Sequence, residues 1–180
     1  MKNVLVLLAD GSEELEAVTI INILRRGGIN VTAAGLHRGT LRGSRNIVLT
    51  PDTTLDEALA HDYDMVVLPG GQPGTENLKA DARVLKLLQR MSGAGKQVAA
   101  ICAAPSVLAA AGLLDGRRAT CYPTCLDEFP KVVLQMADVV EDGNLVTSRS
   151  PGTAMDFALT LLERLSGKAK RQEVEAGLVR

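Results

Sequence analysis

The fold of this chain is decided by one stretch, Gln97-Val98-Ala99-Ala100-Ile101-Cys102-Ala103-Ala104-Pro105. Its apolar first half, rich in small and β-branched residues, predicts a buried strand, and Pro105 with the residues after it predicts a helix that begins at once. Cys102 then lies on the strand-to-helix turn, where unpaired N–H groups and the positive end of the helix dipole favour a thiolate and lower the thiol pKa. The alternative is a cysteine that packs in the core as a small apolar residue. The stretch alone leaves both interpretations open.

Length, charge and composition restrict the class of protein. At 180 residues the chain is predicted to form one domain, residues 1–180. Its 20 basic and 21 acidic residues give a net charge of −1 without a long basic run, which argues against nucleic acid or an anionic membrane as a partner. No apolar run is long enough for a membrane span. The 3 cysteines, an odd number without an export signal, predict reduced thiols and a cytoplasmic location.

Apolar runs alternate with helical patterns along the first two thirds of the chain. Strands are predicted at Val4–Ala9, Val31–Leu36, Met65–Leu68 and Val98–Ile101, and helices at Glu13–Arg26, Leu78–Ser92 and Pro105–Leu113. Such alternation is typical of βαβ units, so it predicts an α/β protein with three layers and a mostly parallel sheet that is covered on both faces.

Shorter elements are predicted in the remaining segments. They are a side hairpin within Thr40–Thr53, a short helix near Leu55–Ala60, strands at Ala119–Tyr122, Val132–Ala137 and Asn144–Ser148, a helix at Pro151–Leu165 and a last short helix within Lys168–Arg180. The turn Glu141-Asp142-Gly143 is expected to join the last two strands. Neither a linker nor a repeat is found, which favours one compact domain.

Four stretches with chemistry-bearing residues follow predicted strands. They are Asp10-Gly11-Ser12, Pro69-Gly70-Gly71-Gln72-Pro73-Gly74, the turn at Cys102, and Cys121-Tyr122-Pro123-Thr124-Cys125. Sites in open parallel sheets form beyond the carboxyl ends of the strands, so we expect these stretches to meet there. The glycines allow backbone N–H groups to approach a ligand closely.

Acidic residues at the start of the first helix are candidates for a partner of Cys102. Glu16 shares a helical face with Ile20 and Ile23, and a carboxyl buried on that face tends to stay protonated and to donate a hydrogen bond. Glu13 lies within about a sixth of a turn of the same face, so helical spacing does not choose between the two. The alternative is that these residues, with Glu14, only complement the helix dipole.

Histidines and the other cysteines add little chemistry. The chain has 2 histidines, His37 and His61, and the predicted layout brings neither to Cys102, which argues against a Cys-His hydrolase. Cys121 and Cys125 have a C-x-x-x-C spacing, but no histidine cluster completes a metal site, so we expect no metal and interpret them as small apolar residues. The alternative is a redox role in which Cys121 traps an oxidised Cys102.

Motifs along nearly the whole chain resemble the ThiJ/PfpI superfamily, specifically its DJ-one branch. The matching stretches, in order and spacing, are Ala9–Glu16, Val67–Gly71, Ala99–Pro105 and Thr147–Thr153. The resemblance implies a flavodoxin-like sheet of the class I glutamine amidotransferase type, and a homodimer. Two departures are notable. Tyr122 stands where many relatives of this branch have a histidine, and Ala103 stands where the protease branch has one, so peptidase activity is not expected.

The resemblance also implies roles for individual residues. Cys102 would be the reactive, easily oxidised cysteine, and Glu16 rather than Glu13 its protonated partner. The backbone N–H groups of Gly71 and Ala103 would form an oxyanion hole. The residues expected at the periphery of the site are Gly70, Arg45, Arg26, Tyr122 and Ser148, with the two arginines also near the dimer interface.

These roles suggest an enzyme that acts on 2-oxoaldehydes such as methylglyoxal and glyoxal, or on their early adducts with protein thiols and amines. The Cys102 thiolate would attack the aldehyde and Glu16 would move a proton, so neither a metal nor an organic cofactor is expected. A redox-sensing stress protein or thiol-dependent chaperone, in which Cys102 becomes a sulfinate, needs the same thiol and remains the alternative. A small-molecule hydrolase or thiamine-pathway enzyme is a third, weaker possibility.

Overall fold

The computed structural model describes residues 1–180 and is built on eleven short strands and seven α-helices. The strands are β1 Asn3–Leu8, β2 Asn30–Gly35, β3 Leu41–Arg42, β4 Val48–Leu49, β5 Thr53–Thr54, β6 Met65–Leu68, β7 Gln97–Ile101, β8 Arg118–Ala119, β9 Val133–Leu134, β10 Val139–Asp142 and β11 Leu145–Ser148. The helices are α1 Glu14–Arg26, α2 Leu55–Ala58, α3 Gly74–Ala80, α4 Ala82–Gly93, α5 Pro105–Ala110, α6 Ala154–Ser166 and α7 Lys168–Gly177, with a 3-10 turn at Pro151–Thr153. In none of the helices do length and apolar character together suffice to cross a bilayer.

Seven strands form the central sheet, in the order β10-β11-β7-β6-β1-β2-β5. All neighbours pair in parallel except β10 and β11, so the predicted α/β fold with a mostly parallel sheet is confirmed. Alternate residues of β1 enter two separate apolar cores. Leu5 and Leu7 pack with residues of α3, α4 and α5, whereas Val4 and Val6 pack with residues of α1 and α6. The sheet is therefore the middle of three layers.

The predicted strands at the centre of the sheet and the first helix are confirmed to within one residue, but the next two helices differ. The helix predicted at Leu78–Ser92 is two helices, α3 and α4. Asp81 separates them, because its backbone is extended and its side chain accepts a hydrogen bond from Arg83 N–H at 2.9 Å, which caps the start of α4. The helix predicted to reach Leu113 ends at Ala110 and is followed by Gly112 with a φ of 76°.

The segment after α5 departs most from the predictions. The strand predicted at Ala119–Tyr122 is reduced to β8, which pairs only with β9 in a separate small sheet. Beyond it the chain turns into the core, where Thr120 N–H donates to the Thr147 hydroxyl at 2.9 Å instead of to a strand. The strand predicted at Val132–Ala137 is also wrong in extent, because the strand that precedes the turn at Gly143 is β10.

The predicted side hairpin is confirmed as the antiparallel pair β3 and β4. It lies against the start of α1, where Glu14 Oε1 accepts hydrogen bonds from the N–H groups of Arg45 at 2.8 Å and Ile47 at 3.0 Å. These bonds place the hairpin loop beside the carboxyl edge of the sheet.

Candidate active site

A pocket of about 470 Å³ opens at the carboxyl edge of the sheet, where three of the four predicted stretches meet. The fourth, Asp10-Gly11-Ser12, does not line it. The pocket is lined from the β7–α5 turn by Cys102 and Ala103, from the β6–α3 loop by Gly71 and Gln72, from α1 and the hairpin by Glu13, Ser44 and Arg45, and from later segments by residues 122–125 and Pro151. The convergence follows from the topology, because parallel strands all end at this edge.

Cys102 is held on a strained strand-to-helix turn. Its φ is 64°, in the left-handed region that residues other than glycine rarely occupy. Two backbone hydrogen bonds fix this conformation: Cys102 N–H donates to the Ser148 carbonyl at 2.9 Å, and the Cys102 carbonyl accepts from Tyr122 N–H at 2.7 Å. The side chain is 8% exposed, so it reaches the pocket while remaining nearly buried.

Gly70 and Gly71 allow the backbone to come close to the cysteine. A Cβ on Gly70 would lie 2.8 Å from the Cys102 Cβ and 3.0 Å from the Ala103 nitrogen. Gly71 has a φ of 87°, and a Cβ there would lie 2.4 Å from the Glu13 nitrogen. The backbone N–H groups of Ala103 and Gly71 consequently lie close enough to the Cys102 sulfur to act on its thiol, and both tend to lower its pKa.

Glu16 lies beneath the cysteine and is fully buried, at 0% exposure. Its Oε2 accepts a hydrogen bond from Gly70 N–H at 2.7 Å, while Oε1 has no partner of standard hydrogen-bond geometry. Burial raises the pKa of the Glu16 carboxyl to about 7, although the hydrogen bonds with Gly70 and Cys102 oppose the rise. Both the protonated and the ionised form of Glu16 are therefore populated near neutral pH.

The ionisation of Cys102 differs from the sequence prediction. Burial raises the pKa of its thiol, and the adjacent ionised Glu16 raises the pKa further, against the N–H groups of Ala103 and Gly71, which lower it. The predicted lowering of the Cys102 pKa was wrong, because the prediction considered the helix end but not the burial of Cys102 and Glu16. Glu16 is fully buried, so a charge on both Glu16 and Cys102 would place two like charges side by side away from water. The pair therefore tolerates at most one negative charge.

The other two acidic residues of this segment have separate partners. Glu13 accepts a hydrogen bond from the Ser44 hydroxyl at 2.6 Å at the pocket. Burial tends to raise the pKa of Glu14, but hydrogen bonds, including those from the Arg45 and Ile47 N–H groups, outweigh burial and hold the pKa below its ordinary value. Both side chains thus bond to the hairpin in addition to lying at the start of the helix. The sequence gives no signal for the Ser44 contact, which exists only because the hairpin folds onto α1.

Of the residues expected at the periphery, Arg45 and Tyr122 line the pocket and Gly70 lies directly behind Cys102. Ser148 does not line it. Its side chain is fully buried and forms hydrogen bonds with the Asp138 carbonyl at 2.8 Å and the Thr153 hydroxyl at 2.7 Å, so only its backbone carbonyl reaches the site, through Cys102.

Arg26 and both histidines lie outside the pocket. Arg26 is the last residue of α1, ten residues beyond Glu16, and its Nε donates to the Asn22 side chain at 2.7 Å. His37 forms an exposed pair with Asp10 at 2.7 Å. The Arg38 carbonyl, and secondly Asp10, raise the pKa of its imidazole. His61 borders a different cavity.

The fold and site define an α/β protein of the flavodoxin-like type in which a strand-to-helix turn presents a cysteine above a buried carboxyl. The DJ-1/PfpI family model matches residues 2–164, and the chain belongs to this family. Protein dj-1beta of Drosophila melanogaster is 44% identical, over 99% of this chain and 97% of that protein, and its crystal structure has a TM-score of 0.96 with the same coverage. The structure of oxidised DJ-1 from Toxoplasma gondii is 37% identical with a TM-score of 0.95, over 99% of this chain and 98% of that one. A deglycase of Pyrococcus abyssi is 35% identical over 83% of this chain and 90% of that protein.

Proposed function

We propose that this protein is a cysteine-dependent enzyme that acts on 2-oxoaldehydes such as methylglyoxal and glyoxal, or on their early adducts with proteins, without a metal or organic cofactor. The observation that carries the proposal is the pairing of Cys102 with the buried Glu16 beneath two backbone N–H donors, at the base of an open pocket. The name of the Pyrococcus abyssi relative, a deglycase, supports the same class of reaction.

The first step is the addition of Cys102 to the aldehyde carbon. As the C–S bond forms, the thiol proton moves to the ionised Glu16 carboxyl, whose pKa of about 7 suits a general base at neutral pH. The carbonyl oxygen gains negative charge beside the N–H groups of Gly71 and Ala103, which stabilise it until Glu16 gives it the former thiol proton and becomes ionised again. The product is a hemithioacetal. The buried pair keeps one negative charge at most throughout this step.

The next steps convert the hemithioacetal into a hydroxy acid. Glu16 takes the proton from the former aldehyde carbon and returns a proton to the neighbouring ketone carbon, while the hydroxyl proton on the first carbon passes to the former ketone oxygen. When methylglyoxal is the substrate, this leaves a thioester of lactate on Cys102. Water then attacks the thioester, the C–S bond breaks, and lactate leaves while Cys102 regains its proton. The overall reaction adds one water to the oxoaldehyde. Glyoxal gives glycolate by the same route.

Adducts on proteins would enter the same sequence one step later. In an early adduct the aldehyde carbon carries a hydroxyl and the sulfur or nitrogen of the modified side chain. Exchange of that group for the Cys102 sulfur frees the protein and leaves the same hemithioacetal. The exposed Tyr122 and Arg45 at the pocket leave room for a larger molecule to approach.

The experiment is to incubate the purified protein with methylglyoxal and to measure D-lactate and L-lactate enzymatically. Cys102→Ser and Glu16→Gln are expected to lose activity, with Glu16→Gln about 100-fold or more below wild type because it cannot carry a proton. Cys121→Ser, which alters a thiol outside the pocket lining, is the matched control. Lactate formation no faster with wild type than with Cys102→Ser would refute the proposal.

A redox-sensing protein or thiol-dependent chaperone is the second candidate. The same geometry favours it, because a sulfinate on Cys102 would accept hydrogen bonds from the N–H groups of Gly71 and Ala103 and from a protonated Glu16. The Toxoplasma gondii relative was solved in an oxidised form. Suppression of client-protein aggregation by the oxidised protein, without turnover of methylglyoxal by the reduced protein, would favour this function.

We also propose that the protein is a homodimer and works in the reducing cytoplasm, where its three unpaired cysteines would persist. Large apolar side chains are exposed on α1 and on the adjoining hairpin, at Leu15 (54%), Val18 (50%), Ile47 (56%) and Val48 (50%). Arg26 lies on the same exposed side of α1 and borders a cavity with Val18. Burial of this face against a second copy would remove it from water.

A further inference from the structure

Two further cysteines lie close to the candidate active site, and the proposed reaction uses neither. Cys125 lines the same pocket as Cys102. Cys121 precedes it by four residues and is nearly buried, at 4% exposure. All three cysteines are free thiols. The pocket therefore brings two nucleophilic sulfur-bearing residues together, with a third behind them.

The segment that carries these cysteines is attached to the Cys102 turn. Tyr122 N–H donates to the Cys102 carbonyl at 2.7 Å, and Cys125 N–H donates to the Tyr122 carbonyl at 3.1 Å. Thr124 has a φ of 72°, which is strained for a β-branched residue and therefore depends on the surrounding contacts. The turn thus holds Cys125 on the pocket wall close to Cys102.

Cys121 lies beside Cys125. The N–H group of Leu126, the residue that follows Cys125, lies near enough to the Cys121 sulfur to tend to lower the pKa of its thiol. The two side chains also influence each other: burial, and secondly the Cys125 thiol, raises the pKa of Cys121 to about 11. Cys125 consequently shares the pocket with Cys102 and has Cys121 as its neighbour.

We propose that Cys125 and Cys121 form a resolving pair that removes oxidation from Cys102. The inference rests on the proposed role of Cys102 as the reactive thiol. A hydroperoxide gives one oxygen atom to the Cys102 sulfur, which becomes a sulfenic acid while an alcohol or water is released. The Cys125 sulfur attacks it, so that a Cys102–Cys125 disulfide forms and the hydroxyl leaves with the thiol proton as water. Cys121 then attacks the Cys125 sulfur, and Cys102 leaves as a thiol with the proton from Cys121.

The oxidation ends as a Cys121–Cys125 disulfide, and Cys102 is available again. Without a resolving thiol, a second hydroperoxide would convert the sulfenic acid to a sulfinic acid, which simple thiols do not reduce. Burial raises the pKa values of Cys121 and Cys125, so both exchange steps are slow and accelerate as pH rises. The resolving pair therefore competes well at low hydroperoxide concentration and loses to over-oxidation at a large excess.

Peptide mapping after mild oxidation tests the proposal. The reduced protein is treated with one equivalent of hydrogen peroxide, and its free thiols are alkylated. The masses of its tryptic peptides are then measured by mass spectrometry. Residues 119–131 form one tryptic peptide that holds both Cys121 and Cys125. In wild type this peptide is expected to lose two hydrogens while Cys102 becomes alkylated. Cys125→Ala is expected to lose the disulfide and to keep the added oxygen on Cys102, and a second equivalent of peroxide should then convert it to the form with two added oxygens. Cys121→Ser is expected to stop at a Cys102–Cys125 linked pair.

Matched controls distinguish this transfer of oxidation from Cys102 to the resolving pair, here called the relay, from other outcomes. In Cys102→Ser the disulfide should form far more slowly, because the primary target of the peroxide is gone. Equal formation of the disulfide without Cys102, or Cys102 sulfinate in wild type with no disulfide at one equivalent, would overturn the relay. Either result leaves the proposed function intact if the reduced protein makes lactate. Circular dichroism of Cys125→Ala and Cys125→Ser identifies a variant that fails to fold, and the folded one is then used.

Discussion

Glu16→Gln should remove a pH-dependent loss of stability that the buried carboxyl imposes on the folded protein. Burial raises the pKa of Glu16 from an ordinary 4.5 to about 7. Between these two pH values the folded protein holds this proton while the unfolded chain has released it. The free energy of unfolding therefore falls as pH rises through this window, and it stays lower at higher pH.

The size of this effect follows from the two pKa values. Each pH unit between the folded and the unfolded pKa corresponds to about 1.4 kcal/mol. A rise from 4.5 to about 7 therefore costs the wild type about 3 kcal/mol once Glu16 is ionised. Glutamine stays neutral, and its amide oxygen can still accept the hydrogen bond from Gly70 N–H that Glu16 accepts at 2.7 Å. Relative to wild type, the variant should gain about 3 kcal/mol between roughly pH 4 and pH 8.

Urea unfolding of both proteins at a series of pH values measures this difference, because other titrating groups contribute equally to both. Glu14→Gln is the matched control on the same helix. Hydrogen bonds from Arg45 and Ile47 outweigh burial and hold the Glu14 pKa below its ordinary 4.5, so its contribution to stability is present above that pH and is lost as pH falls. The difference in stability between this control and wild type should therefore change only below about pH 4.5 and stay constant from there to about pH 8. If the difference between wild type and Glu16→Gln stays constant from about pH 4 to pH 8, the reasoning is refuted.

Cys102→Ala removes a hydrogen bond that lowers the Glu16 pKa, so carbon-13 NMR of the Glu16 carboxyl should give a pKa above the wild-type value, and an unchanged pKa would contradict the contact. Gly70→Ala places a methyl group 2.8 Å from the Cys102 Cβ, and kcat/KM for methylglyoxal should fall about 100-fold. Gly152→Ala, whose nearest atom would lie at 3.6 Å, should keep its activity, and equal activities would count against the geometry. If the protein forms the proposed dimer through α1, Val18→Glu should give monomers by light scattering, and a dimeric variant would contradict an interface on this helix.

The central sheet was predictable because its strands are buried on both faces. Such strands are continuous apolar runs, and β6 was predicted with both ends correct at Met65–Leu68. The break at Asp81 was not visible, since the apolar periodicity continues from α3 into α4. The segment from 118 to 138 was the least predictable, because most of its backbone bonds to side chains and loops, such as the Thr147 hydroxyl, rather than to a strand.

The site was predictable only in part. The strand-to-helix pattern placed Cys102 on its turn, and the resemblance chose Glu16 over Glu13, which helical spacing alone could not do. The contact of Ser44 with Glu13 and the position of Cys125 on the pocket wall depend on how distant segments fold together, and no local pattern encodes them. The sign of the Cys102 pKa change was missed for a similar reason, because burial is a property of the whole site.

Glu14 and Glu16 are both on α1, but their pKa values shift in opposite directions because they accept hydrogen bonds from different donors. Glu14 accepts two backbone N–H groups and stays ionised, whereas Glu16 accepts one and faces a thiol, so its proton remains shared near neutral pH. For the proposed reaction this difference is what matters. Transfer of the Cys102 proton to Glu16 creates the nucleophile without adding a charge to the buried pair, and the N–H groups of Gly71 and Ala103 then stabilise whichever atom is negative. A permanently ionised carboxyl in this position would repel the thiolate, and a permanently neutral one could not take its proton.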